Sequence, residues 1–243
     1  MKFRIHLSPN TEAVPFNYAH QLCGIFHHWL GPNELHDMLS LYSLGWLRSG
    51  RASGGGLWFS EGTSWDIGIH NDAIAERLVR GLLLKDFRFY GMEIRRVTPL
   101  APPDFSSGRH RFLSDSPVLL RRVEDDQSRT HVTFKDPDSS RILQQRIRRK
   151  AEEAQLPEAA ALRLRFDPAY RNPKTKLVRL KTIDYRASVC PLLAEGTPEA
   201  LQFLWTVGAG EMTGVGFGSL GHTGRLDGKG AGRAEEQRSS AAG

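Results

Sequence analysis

Five glycines fall within eleven residues near the end of the 243-residue chain: Gly208-Ala-Gly210-Glu-Met-Thr-Gly214-Val-Gly216-Phe217-Gly218. Glycine weakens regular structure and is kept where backbone must approach a second backbone or a ligand. Runs of N–H groups in such loops form cradles for phosphate oxygens. Phosphate binding and close packing are therefore the two roles open to this segment. The sequence narrows the first of them. No Gly-Lys-Ser/Thr follows, which excludes a P-loop. A dinucleotide fingerprint follows a strand and opens a helix. Here a helix opened by Pro198 runs through Val207 directly into the glycines.

The nine histidines supply groups that titrate near neutrality. Four of them gather around one expected helix and its exit. Over residues 17–30, Leu22, Ile25, Phe26 and Trp29 recur at i, i+3, i+4 and i+7, with Asn17 as the cap and Gly31-Pro32 as the stop. His20 and His27 are seven residues apart and share an azimuth off that apolar stripe, and His28 lies on the other flank. His36 follows in the segment beyond the helix. No motif surrounds His6, His70, His110, His131 or His222. Cys23 and Cys190 have no second ligand at metal-binding spacing and read as small core residues of a reducing compartment. No metal or cofactor is expected.

These residues must be positioned by regular elements. Phe3, Ile5 and Leu7 alternate with Lys2, Arg4 and His6, a half-buried strand with a basic outer face. After the first helix, residues 39–48 and 57–70 read as strands around the turn Ser53-Gly-Gly-Gly56. A second helix opens at Asn71 or Asp72 and carries Ile74, Leu78 and Leu82. Residues 88–97 alternate as a strand. Strand, helix, strand, strand, helix, strand is the ferredoxin-like unit. In the second half, strands are expected at 117–123, 129–135, 161–167 and 176–192, with helices at 138–154 and 198–207. The fold class is α+β with two tandem ferredoxin-like βαββαβ domains: residues 1–98, a linker at 99–112, residues 113–221, and a tail at 222–243 expected to be disordered.

The formal net charge is +6. Residues 141–186 alone carry +8, which points to a polyanionic partner. Alternation aims Arg163 and Arg165 to one side of their strand, and Arg179 and Lys181 to one side of theirs. These four are the candidate polyanion-binding cations. The sequence contains no signal-peptide core and no apolar run long enough to span a bilayer, so a cytoplasmic protein without membrane contact is expected.

The glycine loop, placed after a helix in the second of two such units, resembles that of the Cas-six family, the CRISPR repeat-processing endoribonucleases. Phe16-Asn-Tyr18, Leu22-Cys-Gly-Ile-Phe-His-His-Trp-Leu30, Glu34-Leu-His36-Asp37, Leu41-Tyr-Ser43 and Gly62-Thr-Ser-Trp65-Asp-Ile-Gly-Ile69 are similar to further family segments. The resemblance implies cleavage of precursor CRISPR RNA within its repeats, without metal, by attack of a ribose 2′-OH on the adjacent phosphorus. The products are a 2′,3′-cyclic phosphate and a 5′-OH. Such chemistry needs a base, an acid and stabilisation of phosphorane charge. His36 stands where the family has its catalytic histidine, and His27 where members carry a tyrosine or second histidine. Gly208, Gly210, Gly214, Gly216, Phe217 and Gly218 are expected to shape the RNA site. The expected partners are repeat RNA and other subunits of a CRISPR interference complex, for a monomer or homodimer.

The chain departs from the family twice. Asp37-Met-Leu-Ser40 holds no lysine after His36, where Arg48, Arg51 or His27 would have to substitute. Glu211-Met-Thr-Gly-Val215 holds no basic residue inside the loop. Both departures fit an alternative, an RNA-binding subunit that cuts weakly or not at all.

Overall fold

The computed structural model describes residues 1–33, Leu35 and residues 38–222. The first unit runs β1 (Lys2–Leu7), α1 (Ala19–Leu30), β2 (Tyr42–Leu44), a hairpin of β3 (Arg51–Ser53) and β4 (Gly56–Trp58), β5 (Thr63–Ile69), α2 (Asp72–Leu84) and β6 (Ile94–Pro99). Its antiparallel sheet has the order β2-β5-β1-β6. Ile5 lies opposite Trp65 in the β1–β5 register. Both are fully buried, together with Leu22, Phe26 and Trp29 of α1 and Ala75 and Leu78 of α2. The α2 helix opens as its sequence requires: Asn71 Oδ1 accepts the Ile74 N–H at 3.0 Å. The two long strands expected around the glycine turn are shorter. Residues 57–70 are broken at Gly62, where φ is +81° and the N–H closes a turn on Phe59 O.

The second unit runs β7 (Arg109–Ser114), β8 (Leu120–Val123), β9 (Arg129–Val132), α3 (Ser139–Glu153), α4 (Pro157–Ala160), β10 (Arg163–Phe166), β11 (Lys174–Leu180), β12 (Ile183–Val189), β13 (Leu192–Glu195), α5 (Pro198–Val207) and β14 (Leu220–His222). Its sheet order, β10-β13-β7-β14, repeats the first topology element for element. The fold is two tandem ferredoxin-like units, each with a hairpin inserted between its second and third sheet strands.

Three sequence expectations shift. β7 begins at Arg109, inside the segment read as linker. The strands expected at 117–123 and 129–135 instead form the appended β8–β9 hairpin. The long strand expected over 176–192 is divided, because Lys181 turns the chain at φ +54° and Pro191 ends β12. Lys181 therefore does not continue the alternation that carries Arg179. His222 closes β14, and the remainder of the expected tail lies outside the described residues.

The basic outer face of β1 is largely covered, most completely at Lys2. The second unit covers it. Lys2 is 2% exposed, and its ammonium donates to the Trp205 and Leu220 carbonyls. Ser43 Oγ donates to Thr206 O at 2.8 Å. Arg48 bridges the units, with Nη2 at 2.6 Å from both Asp66 and Asp115. Burial opposes ionisation of Asp66, but the Arg4 hydrogen bonds and the Arg48 charge hold its carboxyl below the ordinary range. At Asp115 burial prevails over Arg48, and its carboxyl is raised.

Candidate functional site

The glycine loop is closed on itself. At Gly208, φ is +74° and an added Cβ would fall 2.5 Å from the Gly218 carbonyl oxygen, so the loop's two ends lie in direct contact. Ala209 N–H donates to Gly218 O, Glu211 N–H to Leu119 O and Gly218 N–H to Pro117 O, each at 2.9 Å. Val215 and Phe217 both donate to Met212 O. These donors are consumed within the protein, so of the two roles the sequence left open, close packing is the one the structure supports. Gly208, Gly210, Gly214, Gly216 and Gly218 are all buried. Phe217 is fully buried in a cluster with Ala19 of the first unit and Leu119 and Tyr185 of the second. It is not placed to touch RNA.

Two sets of cations brace the loop from beneath. Lys150, one of the cations of the basic segment 141–186, is buried. It donates to Val207 O at 2.8 Å and to Thr213 Oγ1 at 2.9 Å, and burial pushes its ammonium down to about 7. Glu211 receives Arg121 at 2.7 Å and Arg146 at 3.0 Å. Carboxylate and guanidinium thus meet inside the loop where the family pattern led us to look for a loop cation.

The braced loop presses onto β2 and the start of α1. Thr213 Oγ1 donates to Tyr42 O at 2.7 Å. A Cβ on Gly214 would fall 2.6 Å from the Tyr42 phenolic oxygen, so only glycine lets the phenol lie there. Tyr42 stacks on Phe26 at 5.0 Å, and His27 meets both rings edge-on at 5.4 and 6.4 Å. Burial, reinforced by Cys23 and opposed by a hydrogen bond from Ser40, pushes the Tyr42 phenol up to about 12, so it keeps its proton at neutral pH. His27 Nδ1 lies 3.2 Å from Asn33 Oδ1. His36 lies outside the described residues. Leu35 beside it packs against the first unit's core. His20, exposed, bonds Asn17 O at the helix start at 2.8 Å, and His28 is exposed.

The candidate RNA-binding cations lie on separate surfaces. Arg163 and Arg165 are exposed on β10, while Leu164 and Phe166 face the core, as their alternation requires. Cross-strand register sets Arg163 beside Glu195 and Arg109, and Arg165 beside Leu193 and Arg111. Arg109 and Arg111 thus join this face, which sequence reasoning missed because β7 was read as linker. Arg179, on the β11–β12 hairpin, pairs with Asp184 at 2.6 Å. That hairpin forms one wall of a cleft of about 580 Å³ between the units. Phe16, Trp46, Leu57, Lys176 and Leu177 are also among its lining residues. The Lys176 ammonium stands 4.5 Å over the Trp46 ring, whose Nε1 donates to Gly216 O at 2.7 Å. Exposed aromatic faces beside cations suit stacked, unpaired bases.

Residues 100–221, from just before β7 through the glycine loop, match the family described as CRISPR associated protein Cas6, C-terminal. The chain belongs to the Cas6 family. Membership places it in CRISPR RNA processing, and the matched region includes the glycine loop packed against Tyr42. Among solved structures the chain is similar to the product of a Cas6-related gene from Pyrococcus furiosus. The two are 21% identical over 91% of this chain and 97% of that one, with a TM-score of 0.79. It is also similar to a CRISPR associated protein Cas6 (19% identity, 92% and 99% coverage, TM-score 0.75). A third likeness is to a RAMP protein binding different RNA substrates (16% identity, 90% and 98% coverage, TM-score 0.76). At these identities the likenesses establish the fold. No curated protein matches the sequence. No helix among the described residues is long and apolar enough to cross a membrane.

Proposed function

We propose that the protein is a metal-independent endoribonuclease that cuts precursor CRISPR RNA within its repeats. The ribose 2′-OH attacks the adjacent phosphorus in line and leaves a 2′,3′-cyclic phosphate and a 5′-OH. His27 and His36 supply the proton transfers. Arg163, Arg165 and the cleft of Phe16, Trp46 and Lys176 hold the repeat, mainly through phosphates and stacked bases. Arg179 and Lys181 extend that grip along the β11–β12 hairpin. The protein acts as a monomer or homodimer and hands its product to other subunits of a CRISPR interference complex. The observation that carries this reading is the docking of the family's glycine loop against Tyr42, whose ring in turn meets His27 near the exit of α1.

The test is incubation of end-labelled repeat RNA with wild type, H36A and H27A in EDTA. Wild type should cut at one position, each variant should be slowed at least about 100-fold, and a 2′-deoxy substitution at the cut should block cleavage while leaving binding intact. Wild type leaving the repeat whole would sink the nuclease reading, and cleavage abolished by EDTA would sink its metal independence.

A second reading, an RNA-holding subunit that does not cut, is favoured by one observation. Arg48, a candidate to replace the lysine absent after His36, is committed to Asp66 and Asp115. Binding without cleavage in the same assay selects it.

A further inference from the structure

After α1 ends at Leu30 the chain folds back on the helix. Gly31, at φ 70°, donates its N–H to His28 O at 3.2 Å and passes the chain through Pro32 to Asn33. The Asn33 amide then makes three contacts. Nδ2 donates to Gly31 O at 2.7 Å, while Oδ1 accepts the Leu35 N–H at 3.2 Å and faces His27 Nδ1 at 3.2 Å. The first two contacts fix which end of the amide is which. Reversed, an NH₂ would meet the Leu35 N–H and an oxygen would meet the Gly31 carbonyl, and both pairs repel.

With Oδ1 facing the ring, the His27 Nδ1 must carry a proton to close the contact. In the neutral imidazole the lone pair then belongs to Nε2. Phe26 and Tyr42, edge-on to the ring, restrict its rotation. We infer that Asn33 is a positioning residue for RNA cleavage, holding His27 as the Nδ1–H tautomer so that Nε2 is its basic atom. This inference rests on the proposed catalytic role of His27.

In the step so organised, the 2′-oxygen bonds to phosphorus and its proton passes to His27 Nε2. The bond from phosphorus to the 5′-oxygen breaks, and that oxygen takes a proton from the acid, the role assigned to His36. His27 finishes as imidazolium, with Nδ1–H still donated to Asn33. A second consequence follows from the same amide. Its bonds also hold the Gly31 carbonyl and the Leu35 N–H to one side chain at the exit of α1.

The test uses full-length protein with ¹⁵N-labelled histidine, the His27 signals being identified by their loss in H27Q. Long-range proton–nitrogen correlation should place the wild-type ring proton on Nδ1, and N33A should release it to a mixture of tautomers. In single-turnover cleavage N33A should lose about 10- to 100-fold in rate, with repeat affinity within about twofold. N33D keeps the acceptor toward Nδ1 but loses the donor to Gly31 O, so it should restore the Nδ1–H tautomer and only part of the rate. A wild-type proton on Nε2 overturns the inference, and so does an N33A that cuts at the wild-type rate. Should N33A fail to fold, the wild-type spectrum and N33D still decide. If wild type cuts no RNA, the catalytic reading of His27 fails and takes this inference with it. If wild type cuts and N33A matches it, only the inference fails.

Discussion

The two ferredoxin-like units present the same topological face, the sheet surface opposite their helices, and put it to opposite uses. In the first unit that face carries Lys2, Arg4 and Asp66, and the second unit lies on it. The covered charges there are matched, Lys2 by carbonyls and Arg4 by Asp66 at 2.7 Å, while Arg96 on β6 stays exposed. In the second unit the equivalent face carries Arg163, Arg165, Arg109 and Arg111, and Arg163 and Arg165 stand exposed. Lys2 and Arg4 are thus structural joints in one unit, whereas Arg163 and Arg165 are candidate RNA contacts in the other. What decides is whether another element covers the cation, since a buried charge must be paired while an exposed one keeps its hydration.

The sharpest way to break this contrast is at Arg48. R48A leaves the Asp66 and Asp115 carboxylates facing one another with their bridging guanidinium gone. Urea unfolding should report a loss of about 3 kcal/mol. A loss no larger than that of an exposed arginine would end the distinction between the faces.

The next largest effect is a pH dependence from Lys150. Its folded-state value is about 7 against an ordinary 10.5. Between those two values the unfolded chain binds a proton that the folded chain does not, so this group makes stability rise with pH across that window. Below 7 both states are protonated, and above 10.5 neither is, so the contribution is flat outside it. K150M should therefore have a shallower stability-versus-pH slope than wild type between pH 7 and 10. Parallel slopes would show that the ammonium stays charged beneath the glycine loop.

The smallest structural effect belongs to the exposed face. R163A and R165A should each change unfolding free energy by less than about 0.5 kcal/mol. Each should weaken repeat RNA binding and lower its logarithmic salt slope by about 1. A salt slope unchanged in both variants would remove this face from the RNA path.

Much of the fold was legible. Period-two and period-3.6 patterns placed β1, α1, α2, β10 and α5 within a few residues, because each buries one face against its own unit's core. β7 was not legible. Arg109, His110, Arg111 and Phe112 alternate correctly, but the strand's buried positions begin with a histidine, which burial holds down at about 4. The turn at Lys181 was hidden as well, since a non-glycine residue at φ +54° leaves no sign in the sequence.

The candidate site divides in the same way. Glycine spacing and the Leu35-His36 segment marked the family, since they are local patterns, and His27 stood out by its azimuth on α1. Asn33 and Trp46 carried no local signal, and Tyr42 only its place in the Leu41-Tyr-Ser43 segment. Their roles come from partners on other elements: Asn33 from a fold-back onto α1, Tyr42 from Gly214, and Trp46 from Lys176 and Gly216.

By itself the sequence determined that two ferredoxin-like units follow one another, that a glycine-rich loop closes the second, and that histidines gather at the exit of the first helix. Only the tertiary structure decided that the loop is a buried joint whose N–H groups are largely taken by the protein, that Lys2 and Lys150 serve carbonyls rather than phosphates, and which nitrogen of His27 carries the proton. The physical reason is one of range. Periodicity and turn chemistry are encoded in neighbouring residues, whereas burial, charge pairing and tautomer depend on what a distant segment brings into contact.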